Sequence, residues 1–237
     1  MLTGTSAEIC EVLFAQHGCY LTLPARVKNC WMPTGQGQCS YHNYYYMAEF
    51  TRMVLEAAGQ QYEDVRFSFE EWPQRKSESP YGQLPWVEYQ GKLYGQSNAI
   101  AAFFAREFGF FGKTNLDGLR IGEVVGLWED QIQNIVKYRW TKDETQKAEF
   151  LRKALEEDLP KYFGFLEKLL KDGGSSGYFV NNALSLADLY VYDMGDNLLQ
   201  LKKDALESYP LLQKLRHNVE ANPKLKTYLA NRKETIF

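Results

Sequence analysis

From residue 48 onward the apolar positions fall into a readable order. Residues 48–58 put Phe50, Met53, Val54, Leu55 and Ala57 on one helical face and stop at Gly59, the residue type that most readily closes a helix. Residues 62–67 alternate, with Tyr62, Asp64 and Arg66 opposite Glu63, Val65 and Phe67, as in an edge strand. Residues 70–82 read as an irregular helix and loop. Trp86, Val87 and Tyr89 are strand formers, and the Gln90-Gly91 turn signal folds them back on residues 92–94 as a hairpin. A helix over residues 98–107 follows, and before all of this residues 39–43 read as a short strand. The order β-α-β-α-β-β-α predicts a thioredoxin-like layer, one mixed four-stranded sheet with helices on both faces.

Beyond residue 111 the pattern turns wholly helical. Residues 116–138 carry Leu119, Val124, Leu127, Ile132, Ile135 and Val136. Thr141 and Glu144 form a capping-box pair opening a helix to residue 170, with Pro160 a kink; Ser185 and Asp188 form a second one, opening residues 189–199. The expected division is a thioredoxin-like domain over residues 39–111, a linker, and an all-α domain over residues 115–237. Residues 1–38 fit neither. They end in a breaker-rich run from Pro33 to Gln38, and Ala7, Glu8, Leu13 and Gly18 echo Ala48, Glu49, Val54 and Gly59, as in a duplicated first segment. They are expected to pack poorly as an N-terminal extension.

Composition narrows the function. A formal charge of −3 over 237 residues leaves no basic footprint, against a nucleic-acid partner. No apolar run is long enough for a bilayer, and Glu8 and Glu11 interrupt the one N-terminal apolar stretch, against a secretory signal, so a cytoplasmic location is expected. Cys10, Cys19, Cys30 and Cys39 contain no C-x-x-C pair, so they read as free thiols and no metal is expected. A helix N-terminus bearing Ser97 is a natural carboxylate seat, and Pro85 stands where a turn or a cis bond is more usual than mid-strand.

Leu84-Pro85 at a strand start, the run Gln96-Ser97-Asn98-Ala99-Ile100, and Ala105-Arg106-Glu107-Phe108-Gly109 resemble the glutathione-binding half of a cytosolic glutathione transferase, the sigma class fitting best. The resemblance implies a homodimer that conjugates glutathione, its co-substrate, to small hydrophobic electrophiles. It implies Tyr41 as the catalytic residue, donating a hydrogen bond to the glutathione sulfur so that thiolate is favoured over thiol. Gln96 and Ser97 would hold the γ-glutamyl end, and Leu84 would offer its backbone beside a cis bond to Pro85. Trp72 and Lys76, with Gln83 beside them, would reach the glycyl carboxylate. Asp130, with Glu129 adjacent, would enter the partner subunit's site. Tyr45, Tyr138 and Trp140 would line the pocket for an electrophilic or lipid-derived second substrate.

The sequence departs from the family in one place. Where the sigma pattern runs Phe-Asn-x-Arg-Gly-Arg-Ala-Glu, this chain has His42-Asn43-Tyr44-Tyr45-Tyr46-Met47-Ala48-Glu49, so both arginines and the glycine are missing and weaker activation is implied. Two other readings stay within the resemblance: a glutathione-dependent prostaglandin isomerase, and a non-catalytic S-crystallin-like or ligand-binding protein. The compact join between Tyr138 and Thr145 lacks the insertion usual in the crystallins and favours the enzyme. A thioredoxin or glutaredoxin oxidoreductase would need a cysteine pair that is absent.

Overall fold

The computed structural model describes residues 25–30, 48–67, 71–131 and 133–232. Strand β1 (Ala25–Cys30) is followed by helix α1 (Glu49–Ala58), strand β2 (Tyr62–Phe67), the short helix α2 (Trp72–Arg75) with a 3-10 turn (Lys76–Glu78), strands β3 (Trp86–Tyr89) and β4 (Lys92–Gly95), and helix α3 (Ser97–Glu107). One sheet runs β2-β1-β3-β4. β1 is parallel to β2 and antiparallel to β3, and β3 and β4 are antiparallel. The mixed four-stranded thioredoxin-like layer is thus as the sequence implies.

Local chemistry accounts for most of it. Phe50, Met53, Val54 and Leu55 of α1 are fully buried. Gly59 stops the helix at φ 73°, its N–H and that of Gln60 donating to the carbonyls of Glu56 and Leu55. At the β3–β4 turn both Gln90 and Gly91 take positive φ, as a two-residue hairpin requires.

The first strand is a correction. Ala25–Cys30, not residues 39–43, fills the slot between β2 and β3, pairing with β2 along its whole length and with β3 through Arg26, Val27 and Lys28. Residues 39–43 themselves lie outside the described residues, as does most of the expected N-terminal extension. Part of that segment is therefore the central strand rather than a loosely packed tail. A central strand is held by backbone pairing on both sides, and Ala-Arg-Val-Lys-Asn-Cys offers little strand propensity to betray it.

The helical half comprises α4 (Asn115–Gln131), α5 (Gln133–Trp140), α6 (Glu144–Lys153), a π turn (Ala154–Asp158), α7 (Leu159–Asp172), α8 (Leu186–Leu201), α9 (Pro210–Ala221) and α10 (Pro223–Asn231). α6 is capped by Asp143, whose Oδ1 accepts from the Gln146 N–H at 2.8 Å, instead of by Thr141. An aspartate directly before the first helical residue reaches the orphan N–H groups, and Thr141 stands too far upstream. The expected kink at Pro160 takes the form of the π turn, because proline supplies no N–H and its ring displaces the carbonyl four residues back. Ser185 and Asp188 form the expected capping box, the Ser185 N–H and Oγ both donating to Asp188 Oδ2 at 2.7 Å. Burial pushes the Asp188 carboxyl up to about 7, against the pull of the Ser185 and Phe179 hydrogen bonds.

One core runs through both halves. Phe50 of α1 meets Tyr190 of α8 with ring centroids 4.7 Å apart, and Trp128, Phe104 and Phe163 are buried around them. A polar seam accompanies the core: Glu49 accepts from Tyr228 Oη at 2.6 Å and Arg52 at 2.8 Å, and Lys224 donates to the Ala58 carbonyl at 2.8 Å. α10 is thereby pinned along the length of α1. Among the described residues no helix is long and apolar enough to cross a membrane.

Candidate functional site

Strand register decides where the candidate residues meet. Trp86 pairs with Gly95, so Leu84-Pro85, entering β3, and Gln96-Ser97, leaving β4, lie side by side at one end of the sheet. Lys28 pairs with Trp86, which brings the C-terminal end of β1 to the same edge. The Leu84-Pro85 bond is cis, as expected for that position, and Pro85 is buried.

Gln96 joins β4 to α3 within a single residue and adopts φ 70°, ψ 103° to do so. A left-handed glutamine costs about 1–3 kcal/mol. That conformation turns the chain abruptly into α3, whose first hydrogen bond runs from the Ile100 N–H to the Gln96 carbonyl at 3.0 Å. The N–H groups of Ser97, Asn98 and Ala99 are left without partners inside the helix. Ser97 is only 9% exposed, and its hydroxyl makes no side-chain hydrogen bond among the described residues. Three aligned donors, one hydroxyl and the positive end of the helix dipole converge here. Tyr81 closes the side of this seat by lying across Gly95, where a Cβ would come within 2.8 Å of its ring.

The remaining expected ligands flank the seat. Trp72 opens α2, half-buried, its ring 6.3 Å from that of Phe67 at the end of β2. Lys76 runs past Gly82, where an added Cβ would stand 3.2 Å from its Cε, and so lies beside the approach to Leu84. Gln83 is exposed, and its N–H donates to Ser79 Oγ at 2.9 Å, shaping the loop into β3. Trp72, Lys76, Gln83, Leu84, Pro85, Gln96 and Ser97 therefore belong to the short segments that converge on this end of the sheet.

Other candidates stand apart. Tyr41 and Tyr45 lie outside the described residues. Tyr138 and Trp140 sit on α5, the helix that follows the one carrying Glu129. Tyr138 is half-buried and Trp140 exposed. Asp130 points to solvent from α4 while its neighbour Glu129 turns inward, where its Oε1 accepts from Asn98 Nδ2 at 2.7 Å and Tyr190 Oη at 3.2 Å. Burial, with Glu129 beside it, pushes the Tyr190 hydroxyl up. Sequence reasoning gave Asn98 and Tyr190 no role, since their link to Glu129 spans 31 and 61 residues.

Comparison with known proteins agrees with this geometry. A sequence model of the glutathione S-transferase N-terminal domain matches residues 38–106, and one of the C-terminal domain matches residues 129–232. Glutathione S-transferase 3 of Caenorhabditis elegans is 35% identical over 202 residues, covering 84% of this chain and 97% of its own. S-crystallin 4 of Enteroctopus dofleini is 32% identical over 208 residues, covering 83% and 97%. Among solved structures, a prostaglandin synthase D of Nilaparvata lugens superposes with a TM-score of 0.77 at 27% identity, covering 89% of this chain and 99% of that one. With a thioredoxin-like sheet, an all-helical second half and these relatives, the chain belongs to the glutathione S-transferase family.

Proposed function

We propose that this transferase conjugates glutathione to small hydrophobic electrophiles through a tyrosine-stabilised thiolate. The observation that carries the reading is Ser97, a residue only 9% exposed whose hydroxyl stands among N–H groups unpaired within the helix at the start of α3, set across the hairpin from Leu84-Pro85. A tripeptide laid along this edge would place its γ-glutamyl carboxylate on Ser97 and Gln96. Its middle residue would lie against the Leu84 backbone and its glycyl carboxylate toward Trp72, Lys76 and Gln83. The sulfur would then face the segment that follows, where Tyr41 is the proposed activating donor. Tyr41 falls within the family match that starts at residue 38. The proposed domain division keeps its boundary near residues 112–114 and adds β1 to the sheet half.

A second copy of the chain completes this reading. Asp130 shares the outer face of α4 with Gly122 and Gly126, neither of which has an atom near where a Cβ would stand. Leu93, Tyr94 and Phe103 are exposed on β4 and α3. A homodimer would cover these positions and bring Asp130 to the partner's seat. Tyr45, Tyr138 and Trp140 are the proposed lining for the second substrate, and a cytoplasmic location suits this chemistry.

Two relatives suggest other roles, an S-crystallin and a prostaglandin synthase. The connection between α5 and α6 is only residues 141–143, which favours the enzyme over the crystallin. The deciding experiment is glutathione-affinity capture followed by conjugation to a chloronitrobenzene, wild type against Tyr41→Phe. Each unit of thiol pKa lost through the tyrosine gives up to about tenfold more thiolate, so a loss of about tenfold or more at neutral pH is expected. Glutathione binding with unchanged turnover in Tyr41→Phe removes Tyr41 as activator, and failure of the wild type to bind glutathione removes the reading as a whole.

A further inference from the structure

A groove of about 580 Å³ opens where the end of α1, the outer strand β2 and α10 meet. That volume falls within the ~300–1,000 Å³ of small-molecule sites. None of its lining residues belongs to the seat at the start of α3. Arg66 reaches into it from β2, on the face where Asp64 bonds Arg52 of α1 at 3.0 Å. The next residue, Phe67, points to the opposite face of the sheet and packs on Trp72 beside the seat. The two sites are therefore separated by the sheet itself.

Three cations and one carboxylate line the groove. Arg66 donates through Nε to Asp64 at 2.7 Å, and both of its Nη groups are without a partner among the described residues. Lys224 donates to the Ala58 carbonyl at 2.8 Å and pairs with no carboxylate among those residues, so its charge also offsets the negative end of α1. Arg232 closes the far wall, held by Glu49 and Asp196. Two acceptors face these donors. Glu56 uses only Oε1, which accepts from Tyr62 Oη at 3.1 Å, and Asn231 gives its amide nitrogen to the Thr227 carbonyl at 2.8 Å, leaving Oδ1 open.

This set of groups narrows the ligand. A carboxylate fills the Arg66 fork but leaves the Lys224 ammonium unanswered, whereas a phosphate monoester has the charge and the oxygens for both. An inorganic ion leaves most of the volume and both acceptors unused. Hydroxyl groups are the donors that Glu56 and Asn231 lack. We propose that this groove is a second ligand site, distinct from the seat, for a phosphorylated sugar. Its phosphate lies on Arg66 and Lys224, and its hydroxyl groups on Glu56 and Asn231. A free sugar phosphate and the ribose phosphate of a nucleotide share that chemistry.

The test titrates ribose 5-phosphate, adenosine 5′-monophosphate, ribose and inorganic phosphate calorimetrically into the full chain, with and without excess glutathione. Two variants accompany the wild type. Arg66→Gln removes the fork while Asp64 keeps Arg52, and Thr227→Trp fills the groove from an exposed position without altering any charge. Ribose 5-phosphate is expected to bind, ribose to give no signal, and inorganic phosphate to bind at least about tenfold more weakly. Each variant is expected to weaken ribose 5-phosphate by at least about tenfold, the loss of a charge-assisted contact or of the space itself. Adenosine 5′-monophosphate distinguishes the sources: affinity higher by tenfold or more assigns a nucleotide, and equal or lower affinity a free sugar phosphate. Should Arg66→Gln not fold, Thr227→Trp decides alone. No binding of either phosphorylated ligand, inorganic phosphate binding as tightly as ribose 5-phosphate, affinity unchanged in the folded variants, or displacement by glutathione each overturns the proposal.

Discussion

Replacing Ser97 by alanine isolates one hydroxyl at the seat. The substitution removes an oxygen from a residue 9% exposed and leaves the backbone N–H groups of α3 in place. Alanine is a good helix former, so the helix itself should be untouched. A hydrogen bond to a charged group contributes about 1.5–3 kcal/mol, which corresponds to a roughly 13- to 160-fold rise in the dissociation constant for glutathione. The loss should stay below complete abolition because the N–H groups and the helix dipole still attract the carboxylate. Calorimetric titration gives the dissociation constant directly, and KM for glutathione at saturating electrophile should rise in parallel. The rate at saturating glutathione should change by less than about threefold, since the proposed pose sets Ser97 at the end of the tripeptide remote from the sulfur. An affinity within threefold of wild type would mean that the γ-glutamyl carboxylate does not sit on α3. A collapse of kcat with unchanged affinity would place Ser97 in the chemistry, contrary to the geometry.

Two predictions concern stability. Tyr228→Phe removes a 2.6 Å hydrogen bond to the half-buried Glu49 carboxylate at the seam between the halves and should cost about 1.5–3 kcal/mol, read from the urea midpoint at constant m. A loss below about 0.5 kcal/mol would mean that Arg52 and Arg232 satisfy Glu49 unaided. Asp188 holds its proton up to about pH 7 in the folded chain, against about 4 when unfolded. The native state therefore binds the extra proton between those values, and stability from this group is full below pH about 4 and lost as pH rises toward 7. Asp188→Asn should flatten that slope in urea titrations between pH 5 and 8, and a slope equal to wild type would show that the capping hydrogen bonds keep the carboxylate ionised throughout.

The sheet half was legible in the sequence because its devices are local. A proline before a strand, a Gln-Gly turn and a serine at a helix start each act within a few residues, and each stands where the pattern placed it. Gly59, the Ser185–Asp188 box and the disruption at Pro160 belong to the same class. Thr141 failed because the choice between two capping residues a couple of positions apart depends on where the first helical turn closes, which periodicity fixes only to within a turn.

What the sequence determined alone was the element order, the class of fold and the short segments from which the seat is built, since side-chain period, proline and glycine constrain the backbone directly. Which strand occupies the middle of the sheet was decided by tertiary structure. The slot between β2 and β3 is filled by backbone pairing, which Ala25–Cys30 can provide without any strong preference of its own. The partners of Glu129 were also beyond reach, because a carboxylate in α4, an amide in α3 and a hydroxyl in α8 become neighbours only when both halves close on one core. The chain carried the seat in its local code, and folding placed the Glu129 carboxylate beside it.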